Sequence, residues 1–404
     1  MVNITVIRAG WVIDGAGREL LPDQAVVVGN GRIQSITPWQ ANKYEGRLID
    51  LRQATLLPGF IDTHLHLAAD PGNPKSFFDT NQNTTEIILR TVGNAQACFR
   101  AGVTTVGDCG AENHIIFPVR DAINAGRLIG PRILASGAAI VPAGGHGAER
   151  IGKIASGVDG VKTAVAEQAQ AGADFIKVMA TAGGGEEPGA SHYNLAELSA
   201  IREEAARHGL VVAAHAHGTQ GIRDCTRAGI QRIEHCTFYN GEDGFIFDEE
   251  TAQAIAANGI IVSPTNVIDY RRIEQGGQGA PRAELNEIWR KLLTFGIPFA
   301  TSSDAGVPDI FYDDYALIPE LMVAELGMSP MAAIVASTVM AAKALRLDAE
   351  IGTLETEKQA DIVAVRGNPL DDISVLRQVQ MVMRGGAIVQ TTAVATGRIN
   401  RVEM

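Results

Sequence analysis

The pattern of hydrophobic and polar positions divides the chain into three stretches. Residues 1–57 carry short, partly alternating apolar runs typical of β-strands, and the GNG at 29–31 predicts a hairpin turn between two of them. Residues 58–347 switch repeatedly between a short apolar strand and a longer helical pattern. From residue 348 the short strands return, as in DIVAVRG and VQMVMRGGAIVQ. We therefore predict that residues 1–57 and 348–404 together form one small β-sandwich domain.

The middle stretch contains eight strand candidates, each followed by a helical or loop segment. They are GFIDTHLH, TTVGDC, RILASG, DFIKVM, LVVAAH, QRIEH, IIVSP and PFATSSD. Several of the helical segments between them end in glycine, as helix C-termini prefer. The pattern predicts the α/β class and a parallel (β/α)8 TIM-type barrel over residues 58–347. A doubly wound open sheet is the alternative that the pattern alone leaves open.

Composition and charge narrow the class of protein. The chain has 404 residues, of which 46% are hydrophobic, enough for one large core and a smaller one. A net charge of −12 argues against binding to nucleic acid or to anionic membranes. The four cysteines include no CxxC pair, and neither a signal peptide nor a membrane-spanning apolar run is apparent. We predict a cytoplasmic protein without a nucleic-acid or membrane partner.

Two histidines stand in the apolar first strand of the middle stretch, GFIDTHLHL. Residues i and i+2 of a strand face the same side, so His64 and His66 point together at the C-terminal end of that strand. Barrel enzymes place their chemistry at this end. The pair could hold a metal ion, or the two side chains could be ordinary hydrogen-bonded core histidines.

Further polar residues occupy the ends of later strand candidates. LVVAAH leads into His215 and His217, QRIEH ends in His235, and PFATSSD ends in Asp304. In a parallel barrel these strand ends meet at one rim. Imidazole and carboxylate groups gathered there are ligand types for a transition-metal site.

A lysine lies inside the strand candidate DFIKVM. A buried ammonium is unfavourable unless it is paired or altered. Lys177 could form a salt bridge or extend its amine to the surface. Alternatively its neutral amine reacts with carbon dioxide, and the resulting carbamate is an anionic ligand able to bridge two metals.

The segments GFIDTHLHL, DFIKVM, VVAAHAHG, RIEHC and TSSDAG, in this order, resemble the amidohydrolase superfamily. The resemblance is strongest to its imidazolonepropionase-like and Xaa-Pro dipeptidase-like branch and extends to IGTLETEKQADIVAVRGNPLDDI near the end of the chain. It implies a metal-dependent hydrolase that cleaves an amide-type C–N bond of a small molecule. Relatives often assemble as homo-oligomers.

The resemblance also implies how the site residues divide between two divalent ions, usually zinc, with Mn, Co or Fe as other options. His64, His66 and Asp304 would hold the more buried ion, and His215 and His235 the second. A carbamate on Lys177 and a hydroxide would bridge them. Two cations lower the pKa of the bridging water, and Asp304 would pass its proton to the leaving amine.

Two more histidines are candidates for substrate contact. His217 corresponds to a position near the substrate in the dipeptidase-like relatives, and His146 in VPAGGHGAER resembles their Gly-Gly-His element. We expect both to take part in catalysis, although His217 could be structural and His146 an exposed loop residue.

Two acidic loops depart from the relatives: one carries Glu186 and Glu187, and the other, after PFATSSD, carries Asp313. If they line the rim, they disfavour a substrate carboxylate; acidic loops are also commonly just solvated. Dipeptides, N-acyl amino acids and aryl amides, carbamates or ureas therefore all remain open as substrates.

Three other functions compete. A mononuclear deaminase of the same superfamily would need a glutamate where this chain has Gln220, and would leave Lys177 without a role. A cyclic-amide hydrolase of the imidazolone type normally lacks the lysine. A non-catalytic barrel would have lost metal ligands, which this chain retains.

Overall fold

The computed structural model describes residues 4–41, 43–73, 82–111, 114–149, 151–183, 189–268, 270, 281–391 and 395–399. Its strands are β1 (Ile4–Val12), β2 (Leu21–Gly29), β3 (Arg32–Pro38), β4 (Gly46–Pro58), β5 (Phe60–Leu65), β6 (Val103–Asp108), β7 (Arg132–Ala135), β8 (Ala139–Val141), β9 (Gly152–Ile154), β10 (Ile176–Met179), β11 (Val212–Ala216), β12 (Arg232–His235), β13 (Ile261–Ser263), β14 (Ile362–Arg366), β15 (Val379–Arg384), β16 (Ala387–Thr391) and β17 (Ala395–Ile399).

The helices are α1 (Thr84–Arg100), α2 (Ile116–Asn124), α3 (Gly157–Ala171), α4 (Leu195–Arg207), α5 (Thr219–Ala228), α6 (Glu249–Ala257), α7 (Arg282–Thr294), α8 (Leu317–Ala324), α9 (Pro330–Ser337) and α10 (Val339–Ala344). Short 3₁₀ turns cover Gly241–Asp243 and Ile373–Arg377. Among the described residues, no helix combines the length and apolar character needed to cross a membrane.

Strands from both ends of the chain form one sheet of eight strands, which we call the end sheet. Its order is β16-β15-β14-β4-β1-β2-β3, and β17 also pairs with β4. The predicted GNG turn joins β2 to β3, with left-handed φ angles of 52° at Asn30 and 78° at Gly31. The two chain ends therefore pair as strands. The sandwich arrangement and the domain boundaries remain predictions.

The middle of the chain is α/β with parallel strands, as predicted. One sheet has the order β13-β12-β11-β10-β8-β9, and a second has the order β5-β6-β7. Seven of the eight strand candidates correspond to β5, β6, β7, β10, β11, β12 and β13. Strands β8 and β9, which surround the loop with His146, were not predicted.

The eighth predicted strand, PFATSSD, is irregular and forms only isolated bridges. Ala300 N donates to Val262 O on β13, and Thr63 N on β5 donates to Thr301 O, both at 3.0 Å. Residues 298–305 therefore run between the two parallel sheets and hydrogen-bond to both. Buried hydroxyls disturb the regular pattern here, because Thr301 Oγ1 donates to Ile61 O at 2.8 Å.

Two apolar cores correspond to the two parts of the chain. The larger lies among the parallel strands and the helices around them, with Phe60, Val178 and Trp289 fully buried. The smaller lies against the end sheet and includes Ile7 and Val26. This arrangement leaves the C-terminal ends of the parallel strands free to carry polar side chains.

Candidate metal centre

Strand β5 places His64 and His66 at its C-terminal end. All of β5 is buried, so apolar neighbours fix its direction. The carboxylate of Asp62 accepts the backbone N–H groups of His64, at 3.2 Å, and Ser303, at 3.1 Å, and also the Ser303 hydroxyl. Burial raises the pKa of Asp62 to about 7. Asp62 thus ties the end of β5 to residues 298–305.

Asp304 completes a first group of ligand atoms. Its φ of 57° is left-handed, and its N–H donates to His64 O at 2.8 Å. Its Oδ1 lies 3.2 Å from His66 Nε2 and 3.4 Å from His64 Nε2. Burial would raise the pKa of Asp304, but His64 and His66 outweigh it and hold that pKa well below its usual range. The carboxylate is therefore ionised beside two imidazoles.

A second group consists of His215 and His217, at the end of β11, with His235 at the end of β12. The ring of His215 lies 4.6 Å from that of His217 and 4.5 Å from that of His235, centroid to centroid. Strand alternation would turn His235 away from the inward face of β12. Left-handed φ angles of 66° at His235 and 52° at Cys236 turn its ring into the site.

The two groups have the chemistry of cation sites. In each, the ligand atoms lie within 4.8 Å of one another. His215 Nε2, His235 Nε2 and Asp304 Oδ1 are buried without a hydrogen-bond partner. Burial and then the neighbouring histidines lower the pKa of His215 and of His235. Buried neutral imidazoles beside an ionised carboxylate are suited to binding a divalent metal.

Lys177 lies beside the first group. Its side chain on β10 is only 1% exposed, and its Nζ is 3.3 Å from His64 Nε2. After burial and the other histidines, Lys177 also contributes to the lowered pKa of His215. The buried lysine predicted from DFIKVM therefore lies beside His64 of the first group and interacts with His215 of the second.

His146 comes to the same site from the loop between β8 and β9. Its ring is stacked on that of His215, with 5.1 Å between centroids. A Cβ atom at Gly183 would lie 2.6 Å from His146 Cε1 and 2.7 Å from each ring nitrogen. Only glycine at 183 therefore leaves room for the imidazole in this position.

Only one of the two acidic loops lies among the described residues. Glu186 and Glu187 lie outside the part of the chain that the structure describes. Asp313 lines a cavity of about 150 Å³ whose other lining residues are Arg100, Ala101, Asp314, Ala316, Leu376, Arg377 and Val379. None of these is a candidate metal ligand.

Tyrosines on either side of Asp313 explain its position. Tyr312 donates its hydroxyl to His66 O at the end of β5, at 2.7 Å. Tyr315 donates to Ile61 O at 3.0 Å and stacks on Phe60 at the start of β5. The segment between them therefore runs back along β5, away from the histidines.

Sequence reasoning missed two charged residues directly beneath the histidines. Glu234 is fully buried on β12; its Oε1 accepts from Arg232 Nε at 2.6 Å, and its Oε2 is 3.2 Å from His64 Nδ1. Alternation within RIEH could have revealed them, because i and i+2 share a face and both are charged inside a buried strand.

A third group of ligand-type atoms, from His64, Cys109 and Glu234, does not resemble a cation site. Burial raises the pKa of Cys109 to about 12, so this thiol is protonated. The Arg232 guanidinium lies 3.7 Å from Cys109 Sγ and repels a second cation. All four cysteines are free and buried, as a reduced protein predicts.

Comparison with known proteins agrees with this geometry. The sequence profile of the amidohydrolase family matches residues 55–389. Ochratoxinase from Aspergillus niger is 29% identical, over 96% of this chain and 86% of its own sequence. Imidazolonepropionase from Salinispora tropica is 24% identical, over 84% of this chain and 85% of its own. A crystal structure of a Xaa-Pro dipeptidase with methionine bound in its active site superposes with a TM-score of 0.86 and 30% identity, covering 96% of this chain and all of the other.

These matches bear on the sequence-based predictions. The predicted resemblance is confirmed, and so is the prediction of a metal-dependent hydrolase acting on amide-type C–N bonds. The family profile covers most of the sequence, including every candidate metal ligand. The chain therefore belongs to the amidohydrolase family.

Proposed function

We propose that the chain is a binuclear metal-dependent amidohydrolase, in which the parallel strands form one closed (β/α)8 barrel around the metal centre. The observation that carries this proposal is the pair of buried ligand groups, in which His215 Nε2, His235 Nε2 and Asp304 Oδ1 are buried without a hydrogen-bond partner. His64, His66 and Asp304 would hold one divalent ion. His215 and His235 would hold the other. Zinc is the first candidate, with Mn, Co and Fe as alternatives.

Lys177 would supply the ligand between the two ions. Its Nζ attacks carbon dioxide, forms an N–C bond and loses a proton, which leaves a carbamate anion. Burial favours this product over an ammonium, because the anion has cationic partners in the loaded site and an ammonium does not. Its 3.3 Å distance to His64 Nε2 is consistent with a place beside the first ion.

The remaining residues would act on the substrate. Two bound cations would lower the pKa of a water molecule and polarise the scissile carbonyl group. Asp304 would accept the proton of the attacking water as the C–O bond forms and then deliver it to the leaving nitrogen, after which the C–N bond breaks. His146 and His217 lie next to His215 and would orient the substrate.

Within the open substrate classes, we favour amides that release an amino acid. A Xaa-Pro dipeptidase of similar structure holds methionine in its active site, and ochratoxinase is similar along nearly the whole chain. Asp313, which would oppose a substrate carboxylate at the rim, lines a different cavity. His146 and His217, whose rings adjoin that of His215, would contact such a carboxylate. We also expect the protein to be cytoplasmic and to form a homo-oligomer. Light scattering can test the oligomeric state.

The deaminase alternative has less support. Gln220 occupies the position where a deaminase would need glutamate, and its Nε2 donates to Asp224 at 2.8 Å. The side chain is therefore engaged within α5. Ammonia release from amino-substituted rings without amide hydrolysis would favour this alternative.

The test combines metal analysis with a substrate panel. Protein loaded with zinc in bicarbonate should hold about two ions per chain and hydrolyse dipeptides, Xaa-Pro among them, and N-acyl amino acids. Neutral aryl amides, carbamates and ureas form the second half of the panel. Turnover confined to that half would reject the amino-acid class. Protein that cannot be loaded with metal would reject the hydrolase mechanism.

A further inference from the structure

For several histidines of the centre, the structure shows which group contacts the ring nitrogen Nδ1. His66 Nδ1 is 3.4 Å from Gly110 O, His217 Nδ1 is 3.0 Å from Thr237 Oγ1, and His235 Nδ1 is 2.8 Å from Thr265 Oγ1. These partners are neutral. His64 differs, because the group 3.2 Å from its Nδ1 is the Glu234 carboxylate.

Glu234 is held in place from the opposite side by a buried cation. Arg232 Nε donates to Glu234 Oε1 at 2.6 Å, and its guanidinium lies over the Phe175 ring at 4.9 Å from the centroid. The Arg232 guanidinium is thus the counter-charge of the Glu234 carboxylate, whose second oxygen lies 3.2 Å from His64 Nδ1.

We propose that Glu234, itself held by Arg232, is a positioning residue that orients His64 and makes it a stronger imidazole donor to a bound cation. In this arrangement the carboxylate would accept the Nδ1 proton of His64 across 3.2 Å, where neither atom has another hydrogen-bond partner. This fixes the tautomer whose Nε2 lone pair faces Asp304 Oδ1, 3.4 Å away, where a cation would bind. A carboxylate partner also makes the imidazole more basic than a hydroxyl or carbonyl partner does. The inference rests on the proposed metal centre.

The first test is metal binding by Glu234→Gln. Glutamine keeps the shape but removes the charge, so we expect one of the two zinc equivalents to bind about 10- to 100-fold more weakly. Competition of the zinc-loaded protein with a chromophoric chelator measures this directly, without any substrate. Thr265→Val is the matched control: it removes the neutral partner of His235 and should weaken binding less than Glu234→Gln does.

A second variant separates positioning from simple charge balance. Glu234→Gln alone leaves Arg232 buried without a counter-charge, which destabilises the fold whatever the carboxylate does for His64. The double variant Arg232→Gln/Glu234→Gln removes both charges. We expect it to recover much of the melting temperature of the apoprotein and still to bind one zinc equivalent weakly. Recovery of wild-type zinc affinity in the double variant would overturn the proposal.

A third variant keeps the charge and changes only the reach. Glu234→Asp leaves a carboxylate beside Arg232 but withdraws it from His64 by one methylene, so the same zinc equivalent should weaken. Wild-type affinity in Glu234→Asp and Glu234→Gln together would overturn the positioning role. If the wild-type protein itself binds no zinc, the proposed metal centre is wrong, which is a different outcome.

Discussion

At the scale of single residues, the centre is organised by which imidazole nitrogen faces inward. Threonine hydroxyls and a backbone carbonyl contact Nδ1 of His66, His217 and His235, so Nε2 is the nitrogen with which each would bind a cation. Because burial disfavours the charged form of an imidazole, the pKa values of His215 and His235 are lowered. The orientation of the rings and their neutral state therefore suit the binding of a cation.

Lys177 provides the most direct residue-scale prediction. Lys177→Ala removes the side chain that would supply the bridging carbamate, so we expect loss of about one zinc equivalent and a fall in kcat/KM of more than about 100-fold. Elemental analysis and initial rates measure the two effects. Lys343→Ala, on an exposed position of α10, is the control. Full zinc occupancy and full activity in Lys177→Ala would contradict the carbamate.

Gly183 provides a second prediction at this scale. The backbone φ of Gly183 is not in the left-handed region, so alanine meets only the steric conflict with His146, at 2.6 Å. The flexible side chain should move, not the backbone. We expect kcat/KM to fall about 10- to 100-fold, because a displacement near 1 Å in a positioned group has this effect. Zinc content should be unchanged.

Two comparison variants make the Gly183 test specific. Gly93→Ala has open space around the new methyl group, so it should retain full activity. His146→Ala should lose as much activity as Gly183→Ala, and the double variant should lose no more than either single variant. Additive losses would show that Gly183 acts through something other than His146.

At the scale of elements, the pattern of short apolar strands located the strand ends that carry His64 and His215, and the irregular segment that carries Asp304. Alternation alone would not direct His235 inward, and its left-handed φ has no signal in the sequence. Alternation does mark Glu234 as a charged residue inside a buried strand, but not its contact with His64, which lies 170 residues away in sequence.

The loops were less predictable than the strands. The acidic run after PFATSSD could have lined the rim of the site. Tyr312 and Tyr315 instead donate to backbone carbonyls of β5 and hold the segment along that strand. Similarly, PFATSSD has an apolar start and a polar end like the other strands, yet its hydroxyls compete for backbone carbonyls. Such contacts between distant segments have no local sequence pattern.

Glu197 joins the beginnings of two helices, which leads to a prediction at the element scale. Its Oε2 accepts from Asn194 N in the capping box of α4, and its Oε1 accepts from Gly157 N at the start of α3, at 2.7 Å. Glu197→Ala should lower the free energy of unfolding by about 1–2 kcal/mol. Urea denaturation measures this. Glu203→Ala, exposed on the same helix, should change it by less than about 0.5 kcal/mol.

At the scale of the whole molecule, Arg132 links the parallel strands to the end sheet by an ion pair and a hydrogen bond. Arg132 on β7 donates to Asp361 at 2.8 Å and to Gln359 at 2.6 Å. Asp361 Oδ1 also accepts from Gly385 N at 2.7 Å. One carboxylate therefore connects the parallel strands to two segments of the end sheet.

Asp361→Asn should consequently destabilise the whole protein. The carboxylate is 4% exposed, and removing its charge leaves the largely buried Arg132 guanidinium without its counter-charge, so we expect a loss of about 3 kcal/mol in the free energy of unfolding. The control is Glu287→Gln, which breaks an exposed pair with Arg290 and should lose less than about 0.5 kcal/mol. If urea denaturation gives equal losses of unfolding free energy for the two variants, the Asp361 contact stabilises the protein no more than an exposed ion pair does.

The pairing of β4 with β14 has a consequence for the order of events during synthesis. Pro58 at the end of β4 is opposite Ile362 at the start of β14, so roughly 300 residues are made between the two partners. At about 5–20 residues per second, the ribosome needs roughly 15–60 s to make them. Throughout that interval one edge of β4 lacks its neighbour, and an open strand edge invites pairing with other chains. The nascent end sheet is therefore the part of this protein with most need of a chaperone.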